Sequence, residues 1–298
     1  MSRSQAYLGE RSFGMVLRAV VALFKLRLAS LVVVSAALGY LLGVAPGSFS
    51  GVDLVLLCVA GTLLTGASNA LNQVIEVNED ALMRRTAERP LVKGTLSAAE
   101  AIVAAFLAGT LGIAMLWAAF GPLTGILGFI SLFMYAGLYT PMKKHTPWAV
   151  FVGAFPGAFP PMLGYVAATG EFGLGPGLLF AMQFMWQFPH FWAIAWVLHE
   201  EYARAGFRLL PSKQGTDAQS AFLILLYTLV LVPVGMLPWF FGFTGPVSAL
   251  VAIVAGTVMV LPAWKLFRSH DRTDARRLMF ASFLYLPIVQ LAYVLDRP

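Results

Sequence analysis

Asn69-Ala70-Leu71-Asn72-Gln73-Val74-Ile75-Glu76-Val77-Asn78-Glu79-Asp80 closes a largely apolar run that opens near Val52, and Arg84, Arg85, Arg89 and Lys93 follow it. The run before the acids is of bilayer length, since a helix needs about 20 apolar residues to cross the hydrocarbon. Its polar residues therefore stand where a membrane helix meets water. Polar and ionisable side chains at such a depth are costly unless they face a bundle interior or an aqueous cavity. This stretch predicts a polytopic helical membrane protein with its chemistry at one membrane face.

The rest of the chain repeats the pattern. Of 298 residues, 59% are hydrophobic and 11% charged, whereas an average soluble domain carries about 25% charged residues. Apolar stretches predict about nine transmembrane helices, at roughly 20–42, 52–75, 98–119, 122–140, 147–168, 174–198, 219–241, 245–264 and 278–295. Nineteen of the twenty basic residues fall on alternate connections, and only Arg297 lies apart. By the positive-inside rule this gives a cytoplasmic N-terminus and an external C-terminus. The net charge of +6 is then a topological signal and implies no nucleic-acid partner. The reading is all-α: one integral-membrane domain over 1–298, with 1–18 as a cytoplasmic N-terminal segment. No cleavable signal peptide is read at the start. The single cysteine, Cys58, sits in an apolar run and reads as a packing residue. No sequence repeat stands out.

The longer connections after the second and sixth predicted helices hold most of the acids. Asn72, Glu76 and Asp80 are spaced four apart, and at about 100° per residue they share one helical face. Three hard oxygen donors with coordination left over suit Mg²⁺, which takes its remaining ligands from water and substrate phosphates. Arginines directly beyond them suit phosphate oxygens. On a solvated helix end the same residues would form only weak surface pairs. A second cluster runs Trp186-Gln187-Phe188-Pro189-His190-Phe191-Trp192, then His199-Glu200-Glu201-Tyr202. His190 lies well inside an apolar run, as a packing histidine or as a ligand, and Pro189 beside it frees a backbone carbonyl. Glu200 and Glu201 offer a further acidic pair with Tyr202 beside it, while His199 stands at the membrane edge. Tyr139-Thr140-Pro141-Met142-Lys143-Lys144-His145-Thr146 adds two lysines and two hydroxyls, which suit phosphate binding, and membrane anchoring explains the lysines equally well.

At these residues the chain resembles the intramembrane aromatic prenyltransferase superfamily, and within it the protoheme IX farnesyltransferase branch. The triad Asn72, Glu76, Asp80 is the general mark. The branch marks are Ala70-Leu71-Asn72-Gln73, Arg85-Thr86, Arg89-Pro90-Leu91, Tyr139-Thr140, Pro160-Pro161, Trp186-Gln187, Pro189-His190-Phe191-Trp192 and Ala205-Gly206 with Leu210-Pro211. The resemblance implies a nine-helix bundle around a membrane-open chamber in the bacterial inner membrane, with its site at the cytoplasmic face and the farnesyl tail in an apolar tunnel. It implies transfer of a farnesyl group from farnesyl diphosphate to a vinyl group of heme b, giving heme O. Asn72, Glu76 and Asp80 would hold Mg²⁺, with Glu201 and Tyr202 supporting the metal or the acceptor. Lys25, Arg27, Arg84, Arg85, Arg89, Lys143 and Lys144 would bind diphosphate. His190, Trp192 and His199 would face heme b, which is substrate and not resident cofactor. A heme A synthase or terminal oxidase is the implied recipient of the product. Three departures stand out: Leu26 where the family often has Pro, Ala149 where Asn is common, and Glu200-Glu201 with Ala205 in place of an Asp-rich repeat, so a second Mg²⁺ is not carried over. The rival readings are a related prenyltransferase with a phenolic or other acceptor and, more distantly, a transporter.

Overall fold

The computed structural model describes residues 12–298, and all regular structure among them is helical. The elements are α1 (Phe13–Phe24), α2 (Leu26–Gly43), α3 (Gly51–Ile75), α4 (Val77–Asp80), α5 (Ala98–Phe120), α6 (Pro122–Phe133), a π-helical turn (Met134–Tyr139) and α7 (Thr140–Met142). After these come α8 (Ala149–Thr169), α9 (Leu174–Val197), α10 (His199–Arg204), α11 (Ala218–Phe240), α12 (Pro246–Ser269) and α13 (Arg272–Leu295). Eight spans are long and apolar enough to cross a bilayer, counting α6, the π-turn and α7 as one. α9 makes the ninth: its 24 residues span about 36 Å at 1.5 Å per residue. Gln183, Gln187, Pro189 and His190 dilute its hydropathy, but all four are buried inside the bundle.

Three boundaries differ from the sequence reading. The first predicted helix is two: Lys25 adopts a left-handed conformation (φ 49°, ψ 54°) that ends α1 and starts α2. Residues 13–18, expected in an N-terminal segment, belong to α1, which is capped by Ser12 and packs on α3 and α5. Residues 1–11 of that segment lie outside the described residues. Finally, α12 runs on to Ser269 and α13 begins at Arg272 behind an Asp271 cap. The basic residues 265–277 therefore lie mostly on helix ends and not in a loop. Charged ends are tolerated there because long side chains can reach the interface.

The core is built on close backbone approach. α2 crosses α8 at Gly39 and Gly164, where an added Cβ would lie 2.0 Å from Pro161 O and 1.8 Å from Ala36 O respectively. Small residues at membrane-helix crossings permit this, since van der Waals contact replaces the hydrophobic drive available in water. α8 carries Pro156, Pro160 and Pro161, and Pro161 leaves the Gly157 carbonyl without its helical partner. Gln183 of α9 donates to that carbonyl (2.7 Å), and its side-chain oxygen accepts from Ser35 of α2 (2.8 Å) and Gln290 of α13 (2.7 Å). At the same end of α2, Arg297 donates to the Leu41 and Val44 carbonyls (2.6 and 2.8 Å). Asp296 accepts from the Ser248 N–H at the start of α12 (2.6 Å).

Candidate active site

The opposite end of α3 carries the site. Glu76 ends α3 in a non-helical conformation (φ −103°), and α4 resumes at once, with the Asp80 N–H donating to the Glu76 carbonyl (2.8 Å). The short break leaves Asn72, Glu76 and Asp80 buried and lining one polar cavity of about 130 Å³. That volume suits a small anionic group and not a macrocycle.

A second wall comes from the π-turn. Tyr135 and Tyr139, both on this turn, line the cavity, in keeping with the frequent placement of π-bulges at functional sites. Thr140 Oγ donates to the Tyr135 carbonyl (2.9 Å) and accepts from Asn72 Nδ2 (3.2 Å), locking this wall to α3. Lys143, only 8% exposed, lies over the Tyr139 ring with Nζ 4.6 Å from its centroid. Phe207 and Leu209, in the segment after α10, close the cavity, and the Arg208 N–H donates to the Lys143 carbonyl (3.2 Å).

Each of the three acids here is paired with a base. Glu76 pairs with Lys143 (2.8 Å), Glu79 with Lys144 (2.6 Å) and Asp80 with Arg89. Thr86 Oγ donates to the Asp80 carbonyl (2.7 Å), fixing the chain that carries Arg89. Lys25, at the break between α1 and α2, also lines the cavity. Burial pushes its pKa down to about 7, helped by the positive charges of Arg89 and Lys143; desolvation and like charge both disfavour the ammonium.

The sequence-predicted residues divide into four groups. Asn72, Glu76, Asp80, Lys25, Arg85, Arg89, Lys143 and Tyr202 converge on the cavity. Lys144 stands behind it on Glu79, while Arg27 and Arg84 are exposed and do not line it. Glu201 keeps one carboxylate oxygen buried without a hydrogen-bond partner, off the lining. His190, Trp192 and His199 lie elsewhere: His190 bonds Ser282, Trp192 packs on Phe188 and Tyr227, and His199 sits under Gly215, where an added Cβ would be 2.4 Å from its ring. Glu79 and Tyr135 were given no site role in the sequence reading, and Tyr139 and Thr140 entered it only with the hydroxyls beside the lysines and as a mark of the resemblance.

For a divalent cation, the donors are hard oxygens. Asp80 Oδ1 and Glu79 Oε2 are buried without hydrogen-bond partners, and Glu76 Oε1 has only its off-axis contact with Lys143. Among the described residues no three acidic, histidine or cysteine side chains converge as a ready-made metal cage. Such a site fits Mg²⁺ in its usual mode, with few protein ligands and the remainder from water and phosphate.

A family model described as the UbiA prenyltransferase family matches residues 32–286. The chain belongs to the UbiA prenyltransferase family. Its relatives include a protoheme IX farnesyltransferase of Cytophaga hutchinsonii, 48% identical over 92% of this chain and 96% of the relative. Another is the protoheme IX farnesyltransferase of Christiangramia forsetii, 46% identical over 92% and 91%; that of Myxococcus xanthus is 38% identical over 93% and 94%. Among solved structures, a digeranylgeranylglyceryl phosphate synthase superposes with TM-score 0.78 at 16% identity, covering 94% of this chain and 98% of that one. A UbiA homolog from Archaeoglobus fulgidus bound to GPP and Mg²⁺ gives 0.68 at 15% identity, covering 93% and 99%. At such identities the superpositions establish the shared UbiA fold, and this chain is an integral-membrane prenyltransferase of that family.

Proposed function

We propose that this UbiA-family chain transfers a farnesyl group from farnesyl diphosphate to a vinyl group of heme b, giving heme O and diphosphate. The observation that carries the reading is the convergence of Lys25, Arg85, Arg89 and Lys143 with Asn72, Glu76 and Asp80 in one cavity at the end of a membrane bundle. Cations beside hard oxygen donors are what a metal-bound diphosphate requires. The acceptor follows from similarity to protoheme IX farnesyltransferases over nearly the whole chain.

Asn72, Glu76 and Asp80 would hold Mg²⁺, which supplies charge neutralisation on the departing diphosphate. Lys143, Arg85, Arg89 and Lys25 bind the phosphate oxygens, with Lys144, Arg84 and Arg27 guarding the approach. Their fixed positive charges favour departure of diphosphate with the electron pair of the C1–O bond. The vinyl π-electrons form the new carbon–carbon bond to farnesyl C1. Water then adds to the heme-side carbon and loses a proton, giving a hydroxyethylfarnesyl group. The Tyr135 and Tyr139 rings, with Phe207, keep water from C1 before the vinyl group reaches it. Tyr202 and Glu201 orient the acceptor edge, and His190, Trp192 and His199 belong to the acceptor side. The site faces the cytoplasm, the C-terminus lies outside, and the bacterial inner membrane is the setting in which a heme A synthase or terminal oxidase would take the product.

The test is an assay with purified protein, heme b, farnesyl diphosphate and Mg²⁺, read by mass spectrometry, with Asp80→Ala as control. A heme enlarged by one farnesyl unit and one water, absent from the variant, is expected. Prenylation of a phenolic acceptor with heme left unmodified would overturn the heme assignment and keep the diphosphate site.

A further inference from the structure

His190 is a buried imidazole that the diphosphate cavity does not use. Its Nδ1 lies 2.8 Å from Ser282 Oγ on α13, and that hydroxyl also lies 2.7 Å from the Met279 carbonyl one turn earlier. A carbonyl only accepts, so the single hydroxyl proton of Ser282 goes to Met279 O. Ser282 then accepts from Nδ1–H, and in the neutral ring the lone pair is on Nε2. Trp186 stacks flat on the imidazole, with centroids 4.3 Å apart and planes at 17°, and donates its indole N–H to the Ser282 carbonyl (2.9 Å). One serine thus fixes both the tautomer and, through Trp186, the plane of the ring. A metal-ligating histidine is held in this way, its second ring nitrogen donating to a fixed acceptor.

The surroundings say which metal compound fits. Among the described residues no acid or second histidine is bonded to His190; its other ring neighbours are Phe191 and Phe283. A bare divalent ion needs several donors, whereas an iron already held in a planar macrocycle needs only an axial one. Phe283 and, beside it on α13, Phe280 and Leu284 are exposed to the membrane side. Phe283, in edge contact with the His190 ring, is itself exposed, so the imidazole is one side chain from the apolar outer surface of the bundle, the side from which a flat apolar ring enters from lipid. From His190 to Tyr202 the chain advances about 18 Å at helical rise, which puts the imidazole on the membrane side of the diphosphate cavity.

We infer that His190 Nε2 is an axial ligand to the iron of the heme substrate and that Ser282 is its positioning residue. The inference rests on the heme reading above. It is tested on the full chain in lipid nanodiscs by titrating ferric heme b and recording absorption and electron paramagnetic resonance spectra. His190→Ala is expected to lose the axial-imidazole signature and to regain it with added imidazole. Ser282→Ala is expected to weaken heme binding by about 10-fold or more, the usual effect of removing a ligand's supporting partner, and Ser282→Thr to restore it. Farnesyl diphosphate affinity, which neither residue touches, reports that each variant is folded. Unchanged heme spectra and affinity in His190→Ala, or in Ser282→Ala, overturn the inference. Failure of the wild-type chain to bind heme, with farnesyl transfer to another acceptor, overturns it together with the reading it rests on.

Discussion

Lys143 and Lys25 reach the same cavity from different elements and in different states. Lys143 is paired with Glu76 and lies over an aromatic face, so it is held in place for an arriving phosphate oxygen. Lys143→Met is expected to lower kcat/KM for farnesyl diphosphate by about 10²- to 10³-fold, the scale for loss of one preorganised charge-stabilising donor. Steady-state assays with heme b as acceptor check this. Among the described residues Lys25 has no acid in ion-pair contact, and its pKa falls to about 7 against 10.5 for an ordinary lysine. Between those values the folded chain binds fewer protons than the unfolded one. The folded state is therefore disfavoured by this group below pH 7, and stability gains as pH rises toward 10.5. Diphosphate needs the charged form, so binding takes up a proton and its affinity falls as pH climbs above 7. Calorimetric titration of wild type and Lys25→Met from pH 6.5 to 9 should show this extra slope in the wild type only; parallel curves would remove Lys25 from the binding step. The triad was legible because helical period alone puts Asn72, Glu76 and Asp80 on one face. Tyr135 was not, because an aromatic residue in an apolar membrane run carries no polar signal to separate a cavity wall from lipid-facing or core packing.

At the scale of elements, the apolar runs located the long helices because bilayer thickness sets their length and the charged residues delimit them. The break at Lys25 left no mark, because a left-handed lysine is compositionally silent. The α2–α8 crossing was equally hidden, since a glycine in a membrane helix does not reveal which helix approaches it. Gly164→Val should destabilise the bundle by about 3 kcal/mol or more, the upper range for overpacking, because its Cβ would meet the Ala36 carbonyl of a neighbouring backbone. Gly177→Ala, in open space on α9, is the control and should be neutral or slightly stabilising. Thermal melts of both variants in one detergent separate the two effects.

Across the whole molecule, alternate charged connections were enough to count nine spans, and Arg297 was the one basic residue they left apart. The fold gives it a place: it closes the end of α2 far from the site, while Ser35, Gln183 and Gln290 tie α2, α9 and α13 within the bundle. Gln290→Leu should cost about 1 kcal/mol, as interhelical hydrogen bonds in membranes do, measured as a lowered melting temperature with the diphosphate cavity intact. At the other end, three carboxylates are each paired with a base. A cation settling on these acids loosens their hold on the paired bases, and an anion drawing on those bases loosens their hold on the acids. Each ligand releases the partner that the other needs. Metal and diphosphate are thus expected to bind with positive linkage, each raising the other's affinity by the same factor, so the acid–base pairing at rest makes the cavity a coincidence detector that responds to the pair more strongly than to either ion.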